Sequence, residues 1–191
     1  DAVAAMLVYV FAYAVATVAA FAAVAYLSDD DLSFSTLDEM SDVGRRYPLM
    51  GGVIALSMFS LAGIPPLAGF WGKFTLFRSA LDAGLSAEGR PNAWFIALCI
   101  IGVINSAIAA AYYLRVVAAL YFQPSRPDHE VEPVLGNAGA GIVAVISALI
   151  VLGVGLFTGP AMTSAQSAAD GLWTVTTPPA VESPLTVALQ T

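Results

Sequence analysis

The sequence predicts an all-α membrane protein of four transmembrane helices, the second of them discontinuous at Gly63 to Leu67. Three observations carry this prediction. The 191 residues are 59% hydrophobic and 11% charged, whereas an average soluble domain is about 45–50% apolar and about 25% charged. The charges gather at 29–46, 82–90 and 126–132 and leave long uncharged runs between them, which is the pattern of spans and loops. One apolar stretch exceeds a single straight crossing, and a double proline divides it.

Ala2 to Leu27 carries no charge and is long enough to cross a hydrocarbon core of about 30 Å with some tilt. It is span one, over about 2–27. The segment is too long and wrongly flanked for a signal peptide; Asp1 precedes it without an initiator Met or a basic n-region, and the chain is expected to be the C-terminal portion of a longer polypeptide. In the polar stretch from Ser28 to Tyr47, Thr36-Leu37-Asp38-Glu39 has capping-box spacing, and Leu37, Met40 and Val43 can face a membrane surface. A short interfacial helix is expected there; the alternative is an irregular acidic loop.

Apolar character then persists from Pro48 to about Leu81, which as one helix would be roughly 50 Å long. Pro65 and Pro66 lack backbone N–H groups and disfavour helical geometry before them. Span two, over about 48–81, is therefore two half-helices joined through Gly63, Ile64, Pro65 and Pro66. Span three starts at Pro91-Asn92, has Trp94 and Phe95 as interfacial aromatics and runs over about 92–122, before Pro124. Span four covers about 138–158, with Gly159-Pro160 expected to end it. Residues 161–191 are expected to form a polar C-terminal tail.

A net charge of −7 argues against nucleic acid, which needs a basic surface. The single cysteine, Cys99, excludes an internal disulfide and a cysteine metal site. Neither a Gly-rich phosphate loop nor a His/Cys cluster with metal spacing is present, so no cofactor is expected on this chain. Arg45, Arg46, Arg115 and Arg126 fall on one side of the spans, and Arg78 and Arg90 on the other. The positive-inside rule puts the first group in the cytoplasm and both ends of the chain outside.

Chemistry concentrates on Lys73. A lysine at the centre of a membrane helix costs roughly 2.5–3.5 kcal/mol on insertion scales. Lys73 lies about seven residues past Pro66, roughly 10 Å along the second half-helix. Gly69 and Gly72 leave room beside its stem for water or another helix, and carbonyls freed near Gly63 can hold water. Desolvation disfavours the ammonium while water or a carboxylate favours it, and an amine balanced between the two can take and release a proton. Snorkelling from a shallow break is the competing reading.

Asn105, Ser106, Tyr112 and Arg115 on span three are either water-path residues or packing contacts, and Arg115 is close enough to the surface to snorkel. His129 sits in a polar loop and reads as an exposed side chain.

The stretch Ser60-Leu61-Ala62-Gly63-Ile64-Pro65-Pro66-Leu67-Ala68-Gly69-Phe70-Trp71-Gly72-Lys73-Phe74 resembles the interrupted-helix motif of the antiporter-like subunits of complex I, the proton-pumping NADH:quinone oxidoreductase. Gly72-Lys73-Phe74 is similar to the N branch, since the M branch typically has glutamate at the lysine position. Asn105 to Ile108 and Tyr112 to Val117 are similar to the penultimate helix of that branch. Tyr9 to Ala14 is similar to the eleventh helix, although Thr17 stands where asparagine is usual.

The resemblance implies the last four helices of a fourteen-helix antiporter-like fold in the plasma membrane, with Lys73 as the terminal lysine of a proton relay. It implies membership of a proton-translocating NADH:quinone oxidoreductase whose redox site lies outside this chain. FMN, iron–sulfur clusters and quinone are expected on other subunits. Expected partners are the other membrane subunits, including a neighbouring antiporter-like subunit, and the lipid bilayer. Two alternatives stay open: a D-type subunit of a multi-subunit cation/proton antiporter, which shares much of the motif, and a purely anchoring segment with Lys73 as an ion-pair partner.

Overall fold

The computed structural model describes residues 2–28, 36, 37, 39–41, 43–85, 92–123 and 137–176, the last five of these as backbone only. Asp38 and His129, both singled out in the sequence, lie outside the described residues. Among the described residues the regular structure is entirely helical: α1 (Ala2–Leu27), α2 (Val43–Arg46), α3 (Pro48–Ala62), α4 (Ala68–Leu85), α5 (Ala93–Phe122), α6 (Ala138–Leu156) and α7 (Thr158–Thr176).

By length and composition α1, α5 and α6 can each cross a membrane, and α3 is a shorter apolar helix. Side-chain caps start two of them. Asn92 accepts from the Trp94 N–H at 3.2 Å and Asn137 from the Gly139 N–H at 2.8 Å, satisfying donors that a helix start leaves free.

The hub of the bundle is α1, which packs against α3, α4, α6 and α7. Ala5, Ala12, Ala16, Ala19 and Ala23 recur at three, four and seven residues and are all buried. Such a row of small side chains brings helix backbones close, which is how helices gain contact where water supplies no hydrophobic drive. Residues of one core cluster, Ala19, Ala23, Leu27, Ile54, Leu120 and Ala148, come from α1, α3, α5 and α6. Outward faces stay apolar: Phe21, Ile101, Ile104 and Ile108 are more than half exposed, a surface suited to acyl chains or further helices.

Three expectations need correction. Gly159-Pro160 does not end α6, which stops at Leu156 with the Phe157 N–H donating to the Gly153 carbonyl at 2.8 Å. Pro160 falls instead in the first turn of α7, where its missing N–H leaves no intrahelical bond unmade. The segment expected as a polar tail from 161 is therefore helical as far as Thr176, and Ala165 and Ala169 pack on Ala4 and Val8 of α1. The interfacial helix also falls later than the capping box suggested, at Val43–Arg46. The Glu39 half of that box forms, its carboxylate accepting from the Thr36 N–H at 3.1 Å.

Candidate proton-relay site

The break begins with a helix end. Gly63 adopts φ 87°, ψ 39°, a left-handed conformation that costs other residues roughly 1–2 kcal/mol. Its N–H donates to Ser60 O at 3.0 Å, and the Ile64 N–H donates to Phe59 O at 3.0 Å. This is the Schellman pattern, and it satisfies the Phe59 and Ser60 carbonyls.

The next two carbonyls belong to Leu61 and Ala62. Their helical donors would be the N–H groups four residues on, at Pro65 and Pro66, and proline has none. The donor comes from Lys73 instead. Its Nζ donates to Leu61 O at 2.8 Å and reaches Ala62 O at 3.4 Å. A third bond, at 3.0 Å, goes to Ser106 Oγ on α5. An ammonium has three donors and no acceptor, so these partners exhaust its capacity, and none is a carboxylate. The freed carbonyls thus accept from the lysine, and each keeps a second lone pair.

Serine and glycine fix this geometry from below. Ser60 Oγ accepts from the Gly69 N–H at 3.1 Å, capping one of the free donors at the start of α4. A Cβ at Gly69 would overlap the Ser60 carbonyl oxygen. One at Gly72 would lie 2.9 Å from Tyr9 Cα. Both glycines therefore admit neighbouring backbone beside α4, leaving little room for water. Gly155 does the same from α6, where a Cβ would collide with the backbone of Pro66 to Ala68.

A small cavity of about 10 Å³ remains beside Lys73, lined by Tyr9, Ala12, Tyr13, Ser60, Leu61 and Gly69. That is about the volume one water needs.

The sequence placed Ser106 among several residues of α5, and only Ser106 of that group bonds to Lys73. Asn105 points to the exposed face. Tyr112 and Arg115, both exposed, line a separate cleft of about 600 Å³ with Thr36, Leu37, Met58, Tyr113 and Val116. Sequence reasoning expected freed carbonyls near Gly63 but did not name Leu61 and Ala62 or pair them with Lys73. The signal was present, since a Pro-Pro pair four residues past two helical positions leaves two carbonyls without donors.

Residues 1–109 match the family model described as NADH:quinone oxidoreductase/Mrp antiporter, transmembrane, a range that contains the break and Lys73. NADH-quinone oxidoreductase subunit N of Paramagnetospirillum magneticum is 34% identical over 168 residues, covering 88% of this chain and 32% of the relative. Subunit N of Rhodococcus opacus is 36% identical over 148 residues, 76% of this chain and 25% of the relative. A chain in the structure of respiratory complex I from Thermus thermophilus with bound aureothin superposes with a TM-score of 0.64 at 31% identity, covering 84% of this chain and 34% of that one. The chain thus spans about a third of the length of the first of these relatives.

Proposed function

We propose that this chain, which belongs to the NADH:quinone oxidoreductase/Mrp antiporter transmembrane family, forms the part of an N-type complex I subunit that carries the last station of a proton relay. The observation that carries this reading is the replacement of two missing backbone donors by the Lys73 ammonium. A lysine so held has its charge satisfied inside apolar helices, and its protonation state is coupled to the backbone of the break.

The chemistry follows from donor and acceptor roles. With Lys73 charged, Leu61 O, Ala62 O and Ser106 Oγ all accept. Once the proton leaves, the amine gains a lone pair that a carbonyl cannot serve. Of the three partners only the Ser106 hydroxyl can rotate to donate, so Ser106 holds Lys73 in both states. A small cavity with the Tyr9 and Tyr13 rings in its wall adjoins Lys73. Electron transfer elsewhere in the complex, on subunits carrying FMN, iron–sulfur clusters and quinone, supplies the drive. Here α3 and α4 together make one interrupted crossing, giving four with α1, α5 and α6. Both chain ends lie outside the plasma membrane, and the proton leaves on that side.

Replacing Lys73 with alanine in the full-length subunit of an assembled complex tests this. NADH-driven proton translocation is expected to fall by about tenfold or more, on the scale of lost acid–base groups, while assembly is retained. Unchanged rate and proton-to-electron stoichiometry would refute it. The family description also names the Mrp antiporter, which supports one second reading, a subunit of a cation/proton antiporter. Sodium-dependent proton exchange without electron transfer would favour that reading.

A further inference from the structure

Once Lys73 gives up its proton, a step that rests on the relay reading above, the amine must gain another. Ser106, which accepts from Lys73 at 3.0 Å, is followed at i+7 by Tyr113, on the same helix face and roughly 10 Å further along the axis. Helical side chains lean toward the N-terminus of their helix, so the Tyr113 ring reaches back toward the level of Ser106. Its neighbours agree with that reach. Tyr113 packs on the buried cluster that includes Ala12 and Leu61, and both of these residues also wall the small cavity beside Lys73. The phenol is near enough to Tyr13 and Tyr9, in the same wall, to interact with them electrostatically.

On its other side Tyr113 lines the cleft of about 600 Å³, together with Leu37, Met58 and Arg115. Arg115 lies two residues past Tyr113, about 14 Å from Ser106 along α5. With Lys73 near the bilayer centre, this carries the cleft to the edge of a hydrocarbon half-thickness of about 15 Å. That edge is the one where α2, with Arg45 and Arg46, packs on α5, and it is inner by the positive-inside rule. Tyr113 thus stands between an inward-facing cleft and a partner of Lys73. Its hydroxyl donates to no described residue. Within a membrane such a donor is met by protein or by water, and the cleft that Tyr113 faces supplies the water.

We propose that Tyr113 is the positioning residue through which Lys73 is recharged from the inner side: its hydroxyl fixes the water that joins the cleft to Ser106. With Lys73 neutral, the Ser106 hydroxyl gives its hydrogen to the Nζ lone pair, forming an N–H bond, and takes a proton from the water held by Tyr113. A proton from water in the cleft restores that water. Each oxygen on the route breaks one O–H bond and forms one, so the net change is one proton lost from the cleft and one gained by Lys73. Tyr113 stays neutral throughout.

Tyr113→Phe keeps the ring and removes the hydroxyl. In the full-length subunit of the assembled complex, in inverted vesicles, it is expected to lower NADH-driven proton translocation per complex about threefold, as for one lost hydrogen bond. The ratio of rates in H2O and D2O should rise, because proton delivery becomes limiting; a merely structural role would leave that ratio unmoved. The cleft is tested through Leu37→Cys, a lining position outside α5. A membrane-impermeant, negatively charged methanethiosulfonate added on the inner side is expected to label it and slow translocation, with the parental complex treated alike as the control. A parental rate and isotope ratio in Tyr113→Phe would overturn the proposal, as would a Leu37→Cys that takes no label or takes it without effect. Failure of the relay itself reads differently, since Lys73→Ala would then translocate at the parental rate. Loss in Lys73→Ala beside a parental rate in Tyr113→Phe removes the entry route alone.

Discussion

Alanine at Gly69 is expected to remove most of the folded subunit from the membrane. The added methyl would overlap the Ser60 carbonyl oxygen, which is backbone and cannot turn aside. Relief requires α4 to move away from the end of α3, and that motion breaks the bond from the Gly69 N–H to Ser60 Oγ and pulls Lys73 from its carbonyls. Overpacking costs typically about 1–3 kcal/mol, and the lost bonds add to it. Against a total stability of about 5–15 kcal/mol, the level of full-length subunit in purified membranes should drop severalfold. Gly52→Ala, where nothing lies within 4 Å of the new Cβ, is the neutral comparison. Equal levels for the two variants would mean that the close approach at Gly69 does not hold the break.

The second large effect is expected from replacing Pro65 and Pro66 together with alanine. The variant regains two N–H groups at the positions that serve Leu61 and Ala62 in a continuing helix. Backbone donors then compete with Lys73 for the same two oxygens, and an ammonium that loses the contest is left with Ser106 alone. Burying a charge with so few partners is costly, so Lys73 is driven out of its place. Proton translocation per electron should fall by at least half, with the subunit still assembled, because the added N–H groups repair the helix instead of weakening it. Translocation at the parental stoichiometry would show that the prolines serve only to bend the chain.

Much of this site was legible in the sequence, and the reasons are physical. A lysine surrounded by uncharged residues and a Pro-Pro pair in an overlong apolar run are both anomalies of membrane energetics, and they point to the same segment. What sequence could not choose was the partner on α5. That helix is apolar nearly all round, so no stripe fixes which face turns inward, and Ser106 could not be separated from Asn105, Tyr112 and Arg115. Gly69 and Gly72 were read as room for water or another helix, and close backbone contacts with α3 and α1 decide for the helix. At the far end, Gly159-Pro160 was read as a stop when it belongs to a start. The dipeptide fits both roles, and only the packing of Ala165 and Ala169 on α1 distinguishes them.

The central claim is that Lys73 exchanges its proton, beyond supplying donors to two orphaned carbonyls. Arginine separates these roles, since it keeps the positive charge and presents five N–H donors but does not deprotonate in proteins. The most direct measurement is therefore the proton-to-electron stoichiometry of the assembled complex carrying Lys73→Arg, beside Lys73→Ala. Relay through Lys73 predicts that the arginine variant assembles at the parental level and yet translocates as poorly as the alanine variant. Parental stoichiometry in Lys73→Arg would contradict the relay and leave Lys73 as a fixed donor that closes the break.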